Sequence, residues 1–311
     1  MADNDFQDLQ TYQAYCERGL ANQDPEGALV DFDRAIALNP NLAGAYHLRG
    51  VVKQNRLNNP QGALADYDRA IAIAPDYTSA HVCRGMLKKY SLNDFNGALA
   101  DYDRATALEP DLVEPYFLRA ELKYRQLNDP QGAVSDIDRA IFLNPNFTVA
   151  YLLRAELNYW HLSDVRAALA DYNQTIALDP QLAIPYYSRG VLKNNELKDV
   201  RGALADYDRA ISLDPQLTMA YYSRGLLKRN EFNDLQGALA DYNQAISLDP
   251  NLAEGYMARV ELKYTHLSDI QGAIDDLRTA ANIYRKSGEA ENLQNALDIL
   301  DEIVKDCNLI I

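Results

Sequence analysis

Seven prolines recur at intervals of 35 residues in this chain of 311 residues. They are Pro40, Pro75, Pro110, Pro145, Pro180, Pro215 and Pro250. Each ends a nearly identical segment, such as residues 62–75 (GALADYDRAIAIAP), and a decayed copy begins at Gly272. A fixed period of this size predicts a stack of one supersecondary unit, because a single unit cannot bury its apolar face alone. Such a stack exposes an extended surface, and this favours binding functions.

Composition excludes several other classes of protein. The N-terminal residues are acidic and lack an apolar run, so we expect no signal peptide. No stretch approaches 18 consecutive apolar residues, so we expect no membrane span. The three cysteines, Cys16, Cys83 and Cys307, are odd in number and stand at unrelated offsets, which indicates reduced thiols. Together these features predict a cytoplasmic protein.

One repeat, residues 41–75, reads as two helices. Apolar residues at helical spacing predict helix A over about 41–57 and helix B up to about Ile73. Asn59 is suited to cap helix B and Pro60 to its first position, and Pro75 ends it. The equivalent caps in the later repeats are Asp94, Asp129, Asp164, Asp199, Asp234 and Asp269.

Small residues recur where the two helices would meet. Helix A carries them at Gly50, Gly85, Ala120, Ala155, Gly190 and Gly225, and helix B carries alanine at Ala63 and its equivalents. Glycine inside a helix costs about 0.5–1 kcal/mol relative to alanine, so its recurrence predicts a close approach of a neighbouring helix. Tyr67, Tyr102, Tyr172, Tyr207 and Tyr242 are predicted to fill the space beside these positions as core residues.

The repeated pattern resembles the tetratricopeptide repeat (TPR) family. The residues that carry the resemblance are Tyr46, Arg49, Gly50, Ala63, Tyr67, Ala70 and Pro75, with their copies across essentially the whole chain. The resemblance implies an all-α fold, a right-handed superhelical solenoid of helix-turn-helix repeats with a C-terminal capping helix. We interpret residues 1–311 as one solenoid: residues 1–40 form an N-terminal cap repeat, 41–285 form seven further repeats with an atypical last copy, and 286–311 form the capping helix and tail.

Both ends of the chain differ from the middle. Residues 5–20 align without gaps to helix A, which puts Ala14 in the arginine position and Tyr15 in the glycine position, so we expect the cap repeat to lack the motif. A last helix is predicted over about 289–306, after Gly288. The apolar tail, Leu309, Ile310 and Ile311, is expected to fold back on this cap, and docking into another molecule is the alternative.

A row of arginines takes a position that leucine usually fills in the family. Arg49 and its equivalents on helix A match a row of aspartates on helix B, which begins at Asp66 and continues through Asp101 and its equivalents. We predict a ladder of Arg–Asp pairs within or between repeats. The alternative is an arginine row that binds phosphate or carboxylate ligands.

The resemblance also implies that variable positions on helix A line a concave groove. The first row is His47, Val82, Phe117, Leu152, Tyr187, Tyr222 and Met257; the second is Val51, Met86, Glu121, Glu156, Val191, Leu226 and Glu261; the third is Gln54, Lys89, Tyr124, Tyr159, Asn194, Arg229 and Tyr264. Exposed aromatic residues are typical anchors of interfaces. The candidate partner-binding residues are therefore Phe117, Glu121, Tyr124, Leu152, Glu156, Tyr159, Trp160, Tyr187 and Tyr222. The alternative is that several of them pack between successive A helices.

These features predict a non-catalytic scaffold or adaptor that binds a peptide or protein segment in its groove, with assembly of complexes as one such role. The alternative is an RNA-binding protein of the pentatricopeptide kind, which the excess of 45 acids over 30 bases disfavours. His161 and His266 recur three repeats apart, too few ligands for a typical metal site. We expect no catalytic residues, no cofactor and no metal, and we expect a protein or peptide partner, with self-association left open.

Overall fold

The computed structural model describes the backbone of residues 2–306 and the side chains of residues 12–306. This part of the chain forms seventeen α-helices and no strand. The first nine are α1 (Ala2–Ala21), α2 (Pro25–Leu38), α3 (Ala43–Asn55), α4 (Pro60–Ile73), α5 (Thr78–Leu87), α6 (Phe95–Leu108), α7 (Val113–Arg125), α8 (Pro130–Leu143) and α9 (Thr148–Trp160). The others are α10 (Val165–Leu178), α11 (Ala183–Leu192), α12 (Val200–Leu213), α13 (Thr218–Phe232), α14 (Leu235–Leu248), α15 (Ala253–Thr265), α16 (Ile270–Ser287) and α17 (Ala290–Asp306).

Odd-numbered helices up to α15 are the A helices and even-numbered helices are the B helices. Short π-helical segments, Lys88–Leu92 and Lys193–Leu197, continue α5 and α11. The chain divides into two compact units, Met1–Leu157 and Asn158–Ile311, and the division falls inside α9. The predicted helical pairs and the capping helix α17 are confirmed, and the tail residues Leu309–Ile311 lie outside the described residues.

Side-chain caps fix where each B helix begins. The amide oxygen of Asn59 accepts a hydrogen bond from the backbone N–H three residues later, and the carboxylate oxygens of the predicted aspartates do the same, at 2.9–3.0 Å. Asp24 caps α2 in the same way. Each bond satisfies a backbone donor that would otherwise lack a partner at the helix N-terminus.

The residue before each cap has a left-handed backbone, which sequence analysis did not anticipate. Residues of this kind recur every 35 positions at Asn58, Asn93, Asn128, Ser163, Lys198, Asn233 and Ser268, with φ between 47° and 55°. This conformation turns the chain so that the next N–H can bond to the carbonyl six residues earlier, as from Asp199 to Lys193 at 3.0 Å. Asparagine tolerates the left-handed region, whereas lysine does not favour it.

Lys198 therefore marks a position where the chain can be stabilised. We expect Lys198→Asn to raise the free energy of unfolding by about 1 kcal/mol, since asparagine adopts positive φ at lower cost. The reciprocal change, Asn93→Lys, is expected to lower it by a similar amount. Thermal unfolding followed by circular dichroism checks both variants, and a Tm that moves the same way in both would contradict the explanation.

Glycines on the A helices allow the rings of the B helices to pack against the helix backbone. A Cβ atom added at Gly50 would lie 2.7 Å from Cε1 of Tyr67, and Gly85, Gly190 and Gly225 meet the equivalent tyrosines in the same way. Tyr67 is fully buried, so its ring cannot move aside. The predicted close approach and the core role of these tyrosines are confirmed.

The predicted ladder is present and joins three helices at each step. Each arginine donates through Nε and Nη2 to the buried aspartate of its own repeat, at 2.5–3.2 Å, in the pairs Arg49–Asp66, Arg84–Asp101, Arg119–Asp136, Arg189–Asp206, Arg224–Asp241 and Arg259–Asp276. Through Nη1 the same arginine donates to Asp or Asn on the preceding B helix, at 2.6–2.7 Å. A lysine one turn later also binds the buried aspartate, as Lys88 does on Asp101 at 2.8 Å. The arginine row is thus part of the framework, not a ligand site.

The N-terminal cap repeat carries the motif after all, which corrects the ungapped alignment. Arg18 donates to Asp31 through Nε at 2.8 Å, and a Cβ atom on Gly19 would lie 2.9 Å from the ring of Phe32. Tyr15, Arg18 and Gly19 therefore match Tyr46, Arg49 and Gly50, one helical turn later than an ungapped alignment places them. The reason is that about one helical turn is missing after the motif: α1 ends at Ala21, three residues after Arg18, whereas α3 ends at Asn55, six residues after Arg49, and the connection to the B helix is one residue shorter.

Candidate protein-binding face

The A-helix face is defined here by the three rows of variable positions on the A helices. In the first unit, Phe117 and Leu152 occupy its first row and are half-buried. The Phe117 ring packs against Phe147, with centroids 4.9 Å apart. Phe117 and Tyr124 also contact the buried cluster around Ile137 and Leu157. These apolar side chains are therefore partly core and partly available to a partner.

Glu121, in the second row, is already neutralised by the protein itself. Lys89, buried on the preceding A helix, donates to Glu121 Oε2 at 2.5 Å, and the Tyr90 hydroxyl donates to the same oxygen at 2.8 Å. Arg125 lies 3.5 Å from the other carboxylate oxygen. Burial alone would raise the pKa of Glu121, but the hydrogen bonds from Lys89 and Tyr90 outweigh it and hold the pKa below its usual value.

Glu156, at the next position of the same row, has a different environment. It is half-buried, and within residues 2–306 its carboxylate makes no hydrogen bond and no ion pair. Burial raises the pKa of Glu156, and the more distant charge of Arg125 opposes this only in part. A carboxylate in this state is costly unless a cation or a donor reaches it.

In the second unit, Tyr159 and Trp160 differ sharply in exposure. Tyr159 is only 9% exposed, and its hydroxyl accepts a hydrogen bond from Asn195 Nδ2 at 3.5 Å. Trp160 is 62% exposed, and its ring lies 4.4 Å from that of Tyr159, centroid to centroid. Of the two, Trp160 offers the surface that a partner could cover, while Tyr159 supports it from beneath.

Tyr187 and Tyr222 are half-buried and lean on the core tyrosines of the B helices. The Tyr187 centroid lies 6.1 Å from that of Tyr207, and the Tyr222 centroid 6.3 Å from that of Tyr242. Their outer parts remain on the A-helix face. One part of each ring thus packs on the core, as the packing interpretation predicts, and the other part is exposed, as the anchor interpretation requires.

An open cavity of about 500 Å³ lies beside Tyr222 in the second unit. It is lined by all six A-helix-face positions of α13 and α15, namely Tyr222, Leu226, Arg229, Met257, Glu261 and Tyr264. The capping helix α17 adds Asn295, Ile299 and Glu302 to the wall. Arg229 Nη1 donates to Glu261 Oε2 at 2.5 Å across the two A helices. Six of the family-derived positions therefore line one concave cavity, and of the candidate partner-binding residues only Tyr222 is among them. The contribution of α17 to the wall was not predicted from the sequence.

Other chemistry has little support in the part of the chain that the structure describes. No group of three or more histidine, cysteine or acidic side chains there could hold a metal ion. No helix among the described residues is long and apolar enough to span a bilayer. His47 and His81 have local partners, since His47 lies against Tyr77 and Cys83, and His81 against Asp101 and the Pro75 carbonyl.

Comparison with known proteins agrees with the repeat architecture. The family model for the TPR repeat matches residues 87–126. No curated protein matches the chain at a significant level. The matched segment is thus a tetratricopeptide repeat, and the other repeats carry the same pattern of residues at intervals of 35.

Several solved structures share the fold at low sequence identity. The PilF protein of Pseudomonas aeruginosa is 21% identical, with a TM-score of 0.58 over 67% of this chain and 94% of PilF. A tetratricopeptide repeat protein of Parabacteroides merdae is 21% identical, with a TM-score of 0.55 over 82% of this chain and 100% of that one. YrrB, described as a TPR protein with an unusual peptide-binding site, is 22% identical, with a TM-score of 0.54 over 62% of this chain and 97% of YrrB. At this level of identity the likenesses concern the fold alone.

Proposed function

We propose that this protein is a non-catalytic scaffold that binds an extended segment of a partner protein on its A-helix face, as a scaffold that assembles complexes would do. The observation that carries the proposal is the cavity in the second unit. Its wall contains every A-helix-face position of α13 and α15, and those positions differ between repeats while the ladder and the core tyrosines recur. Packing therefore dictates the framework and leaves the cavity wall free to vary.

The chemistry of the cavity suits a peptide. Tyr222, Met257 and Tyr264 supply aromatic and flexible apolar surface, which is common at interfaces that anchor partner side chains. Arg229 and Glu261 supply charged donors and acceptors at the rim of the same wall. The likeness of the fold to YrrB, whose description includes a peptide-binding site, is consistent with this use.

RNA binding is the weaker candidate. A phosphate backbone is bound through unpaired lysine and arginine, whereas the ladder arginines of this protein donate to aspartate or asparagine on two sides. The chain carries a net charge of −15, which repels polyanions at low salt.

A phage-displayed library of random twelve-residue peptides tests the proposal. We expect selection on the wild-type protein to enrich binders, and we expect part of them to lose about tenfold or more in affinity when Tyr222 and Met257 are both changed to alanine. The control is Phe142→Ala, which removes an equally large apolar side chain, 73% exposed, from helix B α8. Binding affinities can be measured by isothermal titration calorimetry. A library that yields no binder, or binders as sensitive to Phe142→Ala as to the double variant, would refute the proposal.

A further inference from the structure

The second row of the A-helix face contains three glutamates, and two of them are paired in the same way. Lys89 binds Glu121 and Arg229 binds Glu261, each at 2.5 Å. In both pairs the cation stands 32 residues before the glutamate, in the third row of the preceding A helix. The repeat geometry therefore brings third-row and second-row side chains of neighbouring repeats into direct contact.

Glu156 is the exception to this pairing. The residue 32 positions before it is Tyr124, which contributes a ring where the other two repeats contribute a cation. Burial raises the pKa of the Tyr124 hydroxyl, and the negative charge of Glu156 raises it further. The two side chains are thus neighbours, as the geometry of the other two pairs requires, but no positive charge is present between them.

The other groups around Glu156 do not replace the missing cation. The nearest basic side chain on α7 is Arg125, which lies 3.5 Å from Glu121 and stacks on Tyr124 with 5.6 Å between its guanidinium carbon and the ring centroid. It forms no ion pair with Glu156 among the described residues. A partly buried carboxylate that lacks a cation attracts one strongly, since the water that would screen it is excluded.

The surroundings also limit what the cation can belong to. Leu152 lies one helical turn before Glu156 on α9. Phe117 and Tyr124 lie on the A-helix face of the preceding A helix, α7. An aliphatic stem would pack on this apolar surface while its charged end reached the carboxylate, which is how lysine and arginine behave at interfaces. A single carboxylate is too few ligands for a bound metal ion.

We propose that Glu156 is the receptor for a lysine or arginine side chain of a partner segment bound to the A-helix face of the first unit. The inference rests on the proposed function, because it names the chemistry of the segment that the scaffold binds. The partner cation takes the place that Lys89 and Arg229 take beside the other two glutamates. Specificity for a basic residue at this one repeat then follows from the tyrosine at position 124.

The sharpest test supplies the missing cation from within the protein. Tyr124→Lys puts a lysine at the spacing of Lys89 and Glu121, and we expect it to pair with Glu156 and lower the pKa of that carboxyl, as measured by NMR titration. Tyr124→Phe is the matched control, since it keeps the ring and adds no charge. Glu156→Gln removes the charge and keeps the shape of the side chain.

The readout is the affinity of peptides selected on the wild-type protein from the random library. We expect a group of them to share lysine or arginine at one fixed position, to bind Tyr124→Lys and Glu156→Gln about tenfold or more weakly, and to bind Tyr124→Phe nearly as well as wild type. Binders without a shared basic residue, or binders that tolerate Tyr124→Lys and Glu156→Gln, would overturn this inference and leave the proposed function standing. No binders at all would refute both.

Discussion

Replacing Asp101 by alanine is expected to lower the free energy of unfolding by about 3–5 kcal/mol. Asp101 is 2% exposed and accepts from Arg84 at 2.6 Å and from Lys88 at 2.8 Å. An intact buried ion pair adds little net stability, because desolvation offsets the attraction between the charges. Removal of one member is costly for a different reason, since the two cations then lose their partner while still largely buried. Urea denaturation at neutral pH measures the loss.

The control for this prediction is Asp68→Ala, which removes the second carboxylate that Arg84 binds. Arg84 Nη1 also binds Asp68 at 2.7 Å, but the Asp68 side chain is 54% exposed. Solvent screens such a pair, so Asp68→Ala should cost no more than about 1 kcal/mol. Equal losses in the two variants would show that the ladder acts through the number of its contacts and not through burial of the aspartate.

The ladder also sets the direction of the pH dependence. Burial alone would raise the pKa of Asp101, but hydrogen bonds from Arg84 and Lys88 outweigh it, so the folded-state pKa lies below the unfolded value of about 3.9. The folded protein therefore holds this carboxylate ionised where the unfolded chain binds a proton. The stability that Asp101 contributes is complete above the unfolded pKa and is lost as the pH falls through the folded pKa. The difference between wild type and Asp101→Ala should shrink accordingly in acid.

Replacing Gly50 by valine is expected to lower the free energy of unfolding by about 2–3 kcal/mol. A Cβ atom alone would lie 2.7 Å from Cε1 and 3.0 Å from Cδ1 of Tyr67, and the two γ-methyl groups of valine would add to this clash. Gly44, in the same helix α3, has no atom within 4 Å of its virtual Cβ. Gly44→Val should therefore change stability by no more than about 0.5 kcal/mol.

The chain itself suggests how the Gly50 variant can be rescued. In the last repeat the glycine position is Val260 and the tyrosine position is Leu277, and both pack in one buried cluster. Ala120 and Ile137 form an intermediate pair of the same kind. We expect Tyr67→Leu to restore most of the stability lost in Gly50→Val, with a favourable coupling energy in a double-mutant cycle. Additive losses would contradict direct packing between these two positions.

The framework of the fold could be predicted from sequence because it repeats. The caps at Asn59 and Asp94, the glycine at position 50 and the Arg49–Asp66 pair each depend on local contacts that recur every 35 residues. The cap repeat was misaligned because the segment from its arginine to the cap of the B helix, Arg18 to Asp24, is four residues shorter than the segment from Arg49 to Asn59. Sequence periodicity alone does not reveal such a deletion. The match of Tyr15, Arg18 and Gly19 to the motif was the available signal.

The candidate site was less predictable because it depends on differences between repeats. The positions of Phe117, Tyr187 and Tyr222 on the A-helix face followed from the family pattern, but the degree of burial that separates Tyr159 from Trp160 did not. The contact between Lys89 and Glu121 was not predicted, because the two residues belong to different rows and each row was considered separately. Opposite charges spaced 32 residues apart were the sequence signal for this contact. The residues of α17 that line the cavity had no comparable signal in the sequence.

The most direct test of the account is hydrogen–deuterium exchange on the protein with a library-selected peptide bound. We predict slowed exchange in the A helices that carry the contacted positions, α13 and α15 for peptides in the cavity, together with α17. The B helices α12 and α14 should exchange as in the free protein. Protection confined to the B helices would contradict the claim that the A-helix face is the binding surface of this scaffold.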